Sequence, residues 1–487
     1  MKRPILLTTA LIASGLLLAG CTATAATVAS AGARDTGTET TASLTAAYDL
    51  APAAVMAENN DYTTVNEDEW SEADAIELKL SGSGLSGSAS GVTASGGTVT
   101  ITEADVYRVS GSLAGQLRVE APEDALVVLI LDGADISNGS GAAIEVVSAD
   151  DVAIHLAAGS TNTVSDANSY ADDAEANAAI YADTDLTISG TGSLAVQGNG
   201  NDGITSKDDL VILGGDLTVT AADDALRGKD ALAVEGGTLV LHAAGGDGLK
   251  SDGDEGDASA DIDWAKGYVY VSGGTIDVTA GDDGLQAFTD TVIAGGSVTV
   301  AAADDGVKAE VVVSIGLESD AADAATAPTV EVTTSTEGIE AANIGISAGT
   351  ISVVASDDGI NASGNAELQA LIAGTEFTGV ANREADSGER LEITGGTITV
   401  RAAFDGLDSN GTITVSGGTV DITSAANGGD GPLDANGTIT VSDGVTIMAN
   451  GSAWDASMAG MGGPGAGGPG NGAGGPGGQP GGTPPQH

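Results

Sequence analysis

Three things are scarce in this chain. There is one cysteine, so no disulfide can form within it and its stability must come from elsewhere. Aromatic residues make up 3% of the 487 positions, which excludes a core built on large rings and leaves Val, Ile, Leu, Ala and Thr to do the packing. Positive charge is the third: 15 Lys and Arg stand against 70 Asp and Glu, a formal net charge of −55. Phosphates would be repelled, which excludes nucleic acid as a partner, and an anionic ligand can be held only through a bridging cation. Three histidines and a single Cys cannot furnish repeated zinc or copper sites.

What the chain has instead is glycine, 74 of them, and a patterned distribution of acids. It opens on "MKRPILLTTALIASGLLLAGC", two basic residues and an apolar run too short to span a membrane, ending in Leu18-Ala19-Gly20-Cys21. That ending resembles a bacterial lipobox, which implies a signal peptide at 1–20, cleavage before Cys21 and a lipid on its sulfur. Residues 21–80 read as the lipidated Cys and a flexible tether, rich in Ala, Thr, Ser and acids with no sustained periodicity. Residues 81–457 read as the folded domain, and 458–487, Gly- and Pro-rich, as a disordered tail. The expected location is the outer side of the cell membrane, with the membrane touched through the lipid alone and the protein a monomer.

An internal repeat organises the domain. Short acidic segments such as "GNDGITSKD", "AADDALRGKD", "AGDDGLQAFTD", "AADDGVKAE", "ASDDGINASG" and "AFDGLDSNG" recur along it. The residue after each acid is Gly203, Ala225, Gly248, Gly284, Gly306, Gly338, Gly359, Gly406 and Gly431, giving steps of 22, 23, 36, 22, 32, 21, 47 and 25. The base period is 22, with insertions in three coils. Glycine pairs such as Gly214-Gly215, Gly273-Gly274 and Gly417-Gly418 keep the same period, each preceding an alternating run such as "TIDVTA" or "TVDITS". Alternation of this kind is the mark of a strand with one buried face, so Ile276 and Val278 point inward. The paired glycines make the turn before the strand, and Gly284 is expected at a corner of positive φ. No unit of this size with so few large side chains can bury its own apolar face, but stacked copies can. Short strands at a fixed period with no helical pattern between them predict an all-β fold, a right-handed single-stranded parallel β-helix with coils of about 22 residues. A nonapeptide calcium solenoid is excluded by the period.

Equivalent positions of successive coils lie about 4.8 Å apart. Asp202, Asp224, Asp247, Asp283 and Asp305 should therefore form a ladder, with Asp223, Asp282, Asp304, Asp357 and Asp358 beside or along it. Two charges at that spacing repel by about 0.9 kcal/mol in water and about 3.5 kcal/mol at an effective dielectric of about 20. Either the ladder is solvated and partly neutralised by Arg227, Lys250 and Lys308, three residues after the aspartates of their coils, or a cation sits in it. Calcium, which takes hard oxygen ligands with tolerant geometry, is the expected ion, and the ten aspartates are its candidate ligands.

These residues, through "NAAIYADTDLTISGTGSLAVQGNGNDGITSKDDLVILGGDLTVTAADDALRGKDAL" and "FDGLDSNGTITVSGGTVDI", resemble the bacterial carbohydrate-binding-domain family of secreted calcium-binding β-helix proteins. The founding member is a cellulose- and pectate-binding surface protein. The resemblance implies a right-handed parallel β-helix with bound calcium and the binding of plant-type or acidic polysaccharide at the cell surface. The repeats depart from it at Ala225 and Glu337. Polysaccharide is thus the expected partner, with Lys250, Lys308 and Trp264, the last in an insertion, as candidate sugar contacts. Two alternatives stand beside it. One is a calcium-dependent polysaccharide lyase using Lys207, Lys250 or Lys308 as base, although a lysine among aspartates has its charged form favoured. The other is an adhesive surface solenoid without sugar specificity. His155 and His242, in strand-like runs, are expected to be structural.

Overall fold

The computed structural model describes residues 49–171, 173–254, 262–319, 324–364, 386–425 and 430–454. The signal peptide at 1–20, Cys21, the first part of the tether, and the tail at 458–487 with His487 lie outside the described residues.

One coil shows how the period arises. Asp202–Ser206, Asp209–Ile212 and Asp216–Ala221 are three short strands joined at corners, and the next turn of chain repeats them as Leu226–Gly228, Ala231–Val234 and Thr238–Ala243. Each strand pairs in parallel with its copy, Ile204 with Leu226, Asp209 with Ala231 and Asp216 with Thr238. The first strands of the coils belong to a 13-stranded sheet, and the second and third to a 27-stranded sheet. Those two ladders meet in the long strand Leu126–Ser137, whose start pairs with Asp151–Leu156 and whose end pairs with Thr161–Ser165. The chain is a three-faced parallel β-helix. On the third face the sequence alternation holds: Thr275–Ala280 buries every second residue, and Ile276 and Val278 lie in the core.

The glycines do two different jobs. The second of each pair bends the chain into the third-face strand, with φ of 101° at Gly215, 88° at Gly274 and 79° at Gly418, a conformation that favours glycine. Gly284 is not of this kind, contrary to the expectation of a positive φ. A Cβ there would stand 2.2 Å from Val300 Cγ1 and 2.4 Å from the Gly306 carbonyl oxygen, so the side chain is excluded by packing across the narrow interior. Gly203 meets Val219 in the same way and Gly248 meets Val278. The exception, Ala225, is explained by its own coil. The position aligned with Val219 and Val278 is Leu241, whose branch lies one carbon further out and leaves space for the alanine methyl.

The second face is sealed from outside. Its strands Ala231–Val234, Tyr268–Val271, Val312–Ile315 and Asn343–Ile346 are buried at every position, which a single core cannot accomplish. The cover is the segment from residue 49 to 75, expected as tether but packed lengthwise along the solenoid. Ser314 Oγ donates to the Leu50 carbonyl, Tyr268 Oη to the Asn60 carbonyl, and the Thr63 and Val65 amides donate to Asp209 and Thr187. Leu50 and Val55, in or beside the short helix Pro52–Met56, join a cluster with Val211, Tyr268 and Val292, while Val65 joins Val128 and Ile130. Strand Ile76–Gly82 then pairs in parallel with Asp105–Ala114. Second-face strands further along, Arg390–Ile393 and Thr412–Val415, revert to alternation. Removing residues 49–75 is expected to uncover this face, destabilising the fold by about 5 kcal/mol from the three buried aliphatic side chains and creating a site for hydrophobic dyes. Native stability in denaturant titration of the deletion variant would contradict the packing role.

Candidate functional site

At the first corner the ladder aspartates stack in register, and their burial is nearly complete: Asp202 is 0% exposed, Asp224 3%, Asp247 1%, Asp283 4% and Asp305 2%. A buried carboxylate needs hydrogen bonds, and Asp202, Asp224, Asp247 and Asp283 each find one in the next coil, while Asp305 accepts from Lys308 of its own coil. The Asp247 amide donates to Asp224 Oδ1, the Asp283 amide to Asp247 Oδ1 and the Asp305 amide to Asp283 Oδ1, all at 2.8 Å. The pattern continues beyond the expected residues, from the Asp405 amide to Asp358 Oδ1 at 2.7 Å and from the Gly431 amide to Asp405 Oδ1 at 2.5 Å. Thus Oδ1 of Asp202, Asp224, Asp247, Asp283, Asp358 and Asp405 ties its coil to the next, and Oδ2 is left for a second partner. Asp223, Asp282, Asp304 and Asp357 precede the ladder by one residue and lie at its rim, half-buried or exposed.

The second partner comes from the position three residues on, a column running Arg227, Lys250, Gln286, Lys308, Glu340, Asn361, Asp408 in strand register. Asp434 follows, next to the bridge between Leu407 and Leu433. In the middle coils the column is basic. Lys250 Nζ is 2.7 Å from Asp247 Oδ2 and 3.8 Å from Asp224 Oδ2, and Lys308 Nζ repeats this with Asp305 and Asp283. Arg227 lies 3.8 Å from Asp202 and pairs with Asp252. Burial opposes charge on both lysines, yet the surrounding carboxylates outweigh it and raise their pKa above the ordinary value. Both stay protonated, which weighs against either as a neutral base for eliminative cleavage.

Toward the C-terminal coils the column turns acidic. Carboxylate oxygens of Asp405, Asp408 and Asp434 lie within 4.8 Å of one another, as do those of Asp305, Glu337 and Glu340, and of Asp282, Asp283 and Asp304. Burial pushes Asp405 up to about 7, with the charges of Asp358, Asp408 and Asp434 adding to it and the Gly431 amide opposing. Asp408 rises to about 7 through burial and then the charges of Asp358 and Asp434. Burial likewise takes Asp283 and Glu337 to about 8. The donor set of these clusters is carboxylate oxygen alone, and it fits a hard cation such as calcium. Asp405, Asp408, Asp434 and Glu340 were not among the ligands expected from the sequence. The signal was present in "FDGLDSNG" and "GDGPLDANG", where an acid stands at the position that carries a base in "GGDGLKSDGD".

These raised values fix a pH dependence. The folded state holds protons on Asp283, Glu337, Asp405 and Asp408 that the unfolded chain has released above its carboxylate range near 4, so their contribution is complete below that range and is lost as pH rises toward 7 and 8. Chelated protein is therefore expected to melt at a higher temperature at pH 5 than at pH 8, and calcium to stabilise it most at pH 8. Calorimetry at the two pH values checks this, and equal melting temperatures would contradict it.

Elsewhere, Trp264 is half-buried and stacked on Phe288, ring centroids 5.5 Å apart and planes 17° from parallel. His155 is structural: its Nδ1 lies 3.0 Å from Ser189 Oγ, its ring packs edge-on against Trp70, and burial lowers its pKa. His242 is an exposed residue of the alternating third face.

A parallel β-helix with an acidic corner of this construction defines a solenoid that presents long, chemically repetitive surfaces, the class of architecture suited to extended ligands. The chain belongs to the carbohydrate-binding domain-containing protein family, whose model matches residues 95–379. A carbohydrate-binding domain-containing protein of Acetivibrio thermocellus is 36% identical over 230 residues, 46% of this chain and 78% of that one. A solved structure of a polysaccharide lyase-like protein from C. thermocellum, a gadolinium derivative, is 32% identical, covers 53% of this chain and 99% of its own, and superposes with a TM-score of 0.46.

Proposed function

We propose that the protein is a calcium-dependent polysaccharide-binding lipoprotein of the bacterial cell surface, anchored through Cys21 and directed to acidic polysaccharide. Its family supports a carbohydrate partner. The observation that carries the finer reading is the change along one column from Lys250 and Lys308 to Asp408 and Asp434, which leaves carboxylates stacked on carboxylates at the C-terminal coils. Asp405, Asp408 and Asp434 are the residues that would hold calcium best, with Asp305, Glu337 and Glu340 next. Lys308, 3.5 Å from Glu340, already supplies positive charge to the second group. Calcium held by these carboxylates would supply the positive charge needed to attract the uronate carboxylates of a glycan, which this acidic surface would otherwise repel. The ladder aspartates keep the corner rigid by holding the amides of the next coil, so that the liganding oxygens are presented at one strand spacing.

A glycan array read with and without EGTA, beside an assay for unsaturated uronate product, tests this reading. Calcium-dependent retention of polygalacturonate without product is the expected outcome. Product formation would replace it with the lyase, and retention of no acidic glycan would leave the adhesive solenoid.

A further inference from the structure

We propose that residues 49–75 are a pH-sensitive strap, seated on the second face in mild acid and released as the pH rises, with the buried pair Asn59 and Asp290 as its latch. The segment is tied to the wall one residue at a time, and two of its ties end on carboxylates. Asn59 Nδ2 donates to Asp290 Oδ2 at 2.9 Å, and the Thr63 amide donates to Asp209 Oδ2 at 2.8 Å. Both acids begin second-face strands, Asp290–Ile293 and Asp209–Ile212.

The contact between Asn59 and Asp290 is built for a proton. Asp290 is 7% exposed and Asn59 9%, and Asn59 Oδ1 is sealed with no donor among the described residues. An ionised Asp290 has only acceptors and offers that oxygen nothing, whereas the protonated acid has an O–H to give it, which closes a paired acid–amide contact across the interface. The groups facing Asp290 favour the same form. Glu58 of the strap and Asp263 across the adjoining cavity are acidic, and no lysine or arginine among the described residues lines that cavity. Burial pushes Asp290 up to about 7, with Asn59 and the Val312 backbone amide opposing and Glu58 adding. Asp209 acts in the same sense. Burial pushes it up to about 7, the Thr63 amide opposes, and Asp185, Asp230 and Asp208 add, while Asp61 of the strap and Lys266 share its cavity.

Once the strap has left, both carboxyls return to water and to the carboxylate range near 4. The seated state therefore holds protons that the released state has lost, so their contribution is complete below that range and disappears as pH rises through about 7. His155, packed against Trp70 at the far end, acts oppositely: burial lowers its pKa, and charge on it disfavours docking. The strap thus sits best in mild acid. Release frees the whole of 49–75, a contour of up to about 90 Å, and moves the chain's departure from the coil of Ser314 to the strand Ile76–Gly82. On a lipid-anchored protein this lengthens the tether, but the pH response rests on neither the anchor nor calcium.

Hydrogen exchange of the full chain, in EGTA at pH 6 and pH 8, tests it. Protection of the Thr63 and Val65 amides is compared with that of Thr238 and Thr275, whose amides donate to the Gly215 and Gly237 carbonyls at 2.9 Å in the solenoid wall. From pH 6 to pH 8 the strap's protection relative to the wall is expected to fall about ten-fold or more, the share of Asp290 alone being about ten-fold. Asp290→Asn, neutral at every pH and still able to pair with Asn59, should keep the strap seated at pH 8 and make the fall shallower by about three-fold or more. Asp209→Asn should act in the same direction, and wall protection shows that both variants fold. Strap protection that is unchanged or higher at pH 8 in wild-type protein overturns the inference, as does a fall in Asp290→Asn as steep as in wild type. A protein that keeps this response but fails to retain polygalacturonate loses the proposed function alone.

Discussion

EGTA at pH 8 is expected to release the protein from polygalacturonate and to lower its stability. A ligand that binds only the folded state at a concentration about 100 times its Kd stabilises that state by about 2.7 kcal/mol, so one filled site at the C-terminal coils sets the scale of the loss. The cause is electrostatic. Asp405 and Asp408 are both pushed up to about 7, and the larger charged influences on each are other carboxylates. At pH 8 these groups are forced to ionise beside one another unless a cation intervenes. Asp408→Asn should reduce the calcium effect at this cluster while leaving the middle coils, where Lys250 and Lys308 bridge the ladder, intact. Melting curves with and without EGTA, for the native chain and for Asp408→Asn, separate the two regions. A melting temperature indifferent to chelator in the native chain would remove calcium from the fold.

Gly284→Ala is the second large effect, expected to destabilise the protein by about 3 kcal/mol. The methyl would meet Val300 Cγ1 at 2.2 Å and a backbone oxygen at 2.4 Å, and the backbone contact cannot be relieved by rotating a side chain. Nature has made the compensated version in another coil, where Ala225 stands with Leu241. The double variant Gly284→Ala with Val300→Leu should therefore recover a substantial part of the loss, and its four-member cycle should show a coupling of about 1 kcal/mol or more. Urea denaturation of the four proteins measures it. Additive losses would mean that the Gly306 carbonyl oxygen, and not Val300, excludes the methyl.

The solenoid was legible because stacking imposes a period on the sequence, and Asp202 through Asp305 keep it at one corner in register. The ladder's structural duty was not legible, since a carboxylate capping the amide of the next coil leaves the same residue in the sequence as a carboxylate liganding a metal. Gly284 was misread for a related reason. A glycine demanded by a facing valine and one demanded by positive φ look alike until the interior is seen. The covering segment at 49–75 escaped because its contacts cross several coils one residue at a time, from Ser314 to Thr187, and so give it no internal periodicity. Its trace lay in its partner: "YVYV" at 268–271 is apolar or aromatic at every position, where one buried face would alternate. The acids at Asp408 and Asp434 were visible, but their meaning depended on a register that joins them to Arg227, Lys250 and Lys308 across insertions of unequal length.

The most direct measurement is an anomalous difference map from a crystal of the full chain grown with calcium. The predicted result is a peak coordinated by Asp405, Asp408 and Asp434, with Lys250 and Lys308 still seated on the middle coils. Diffraction that resolves these three carboxylates with no ion among them, in protein that nevertheless binds polygalacturonate, would contradict it.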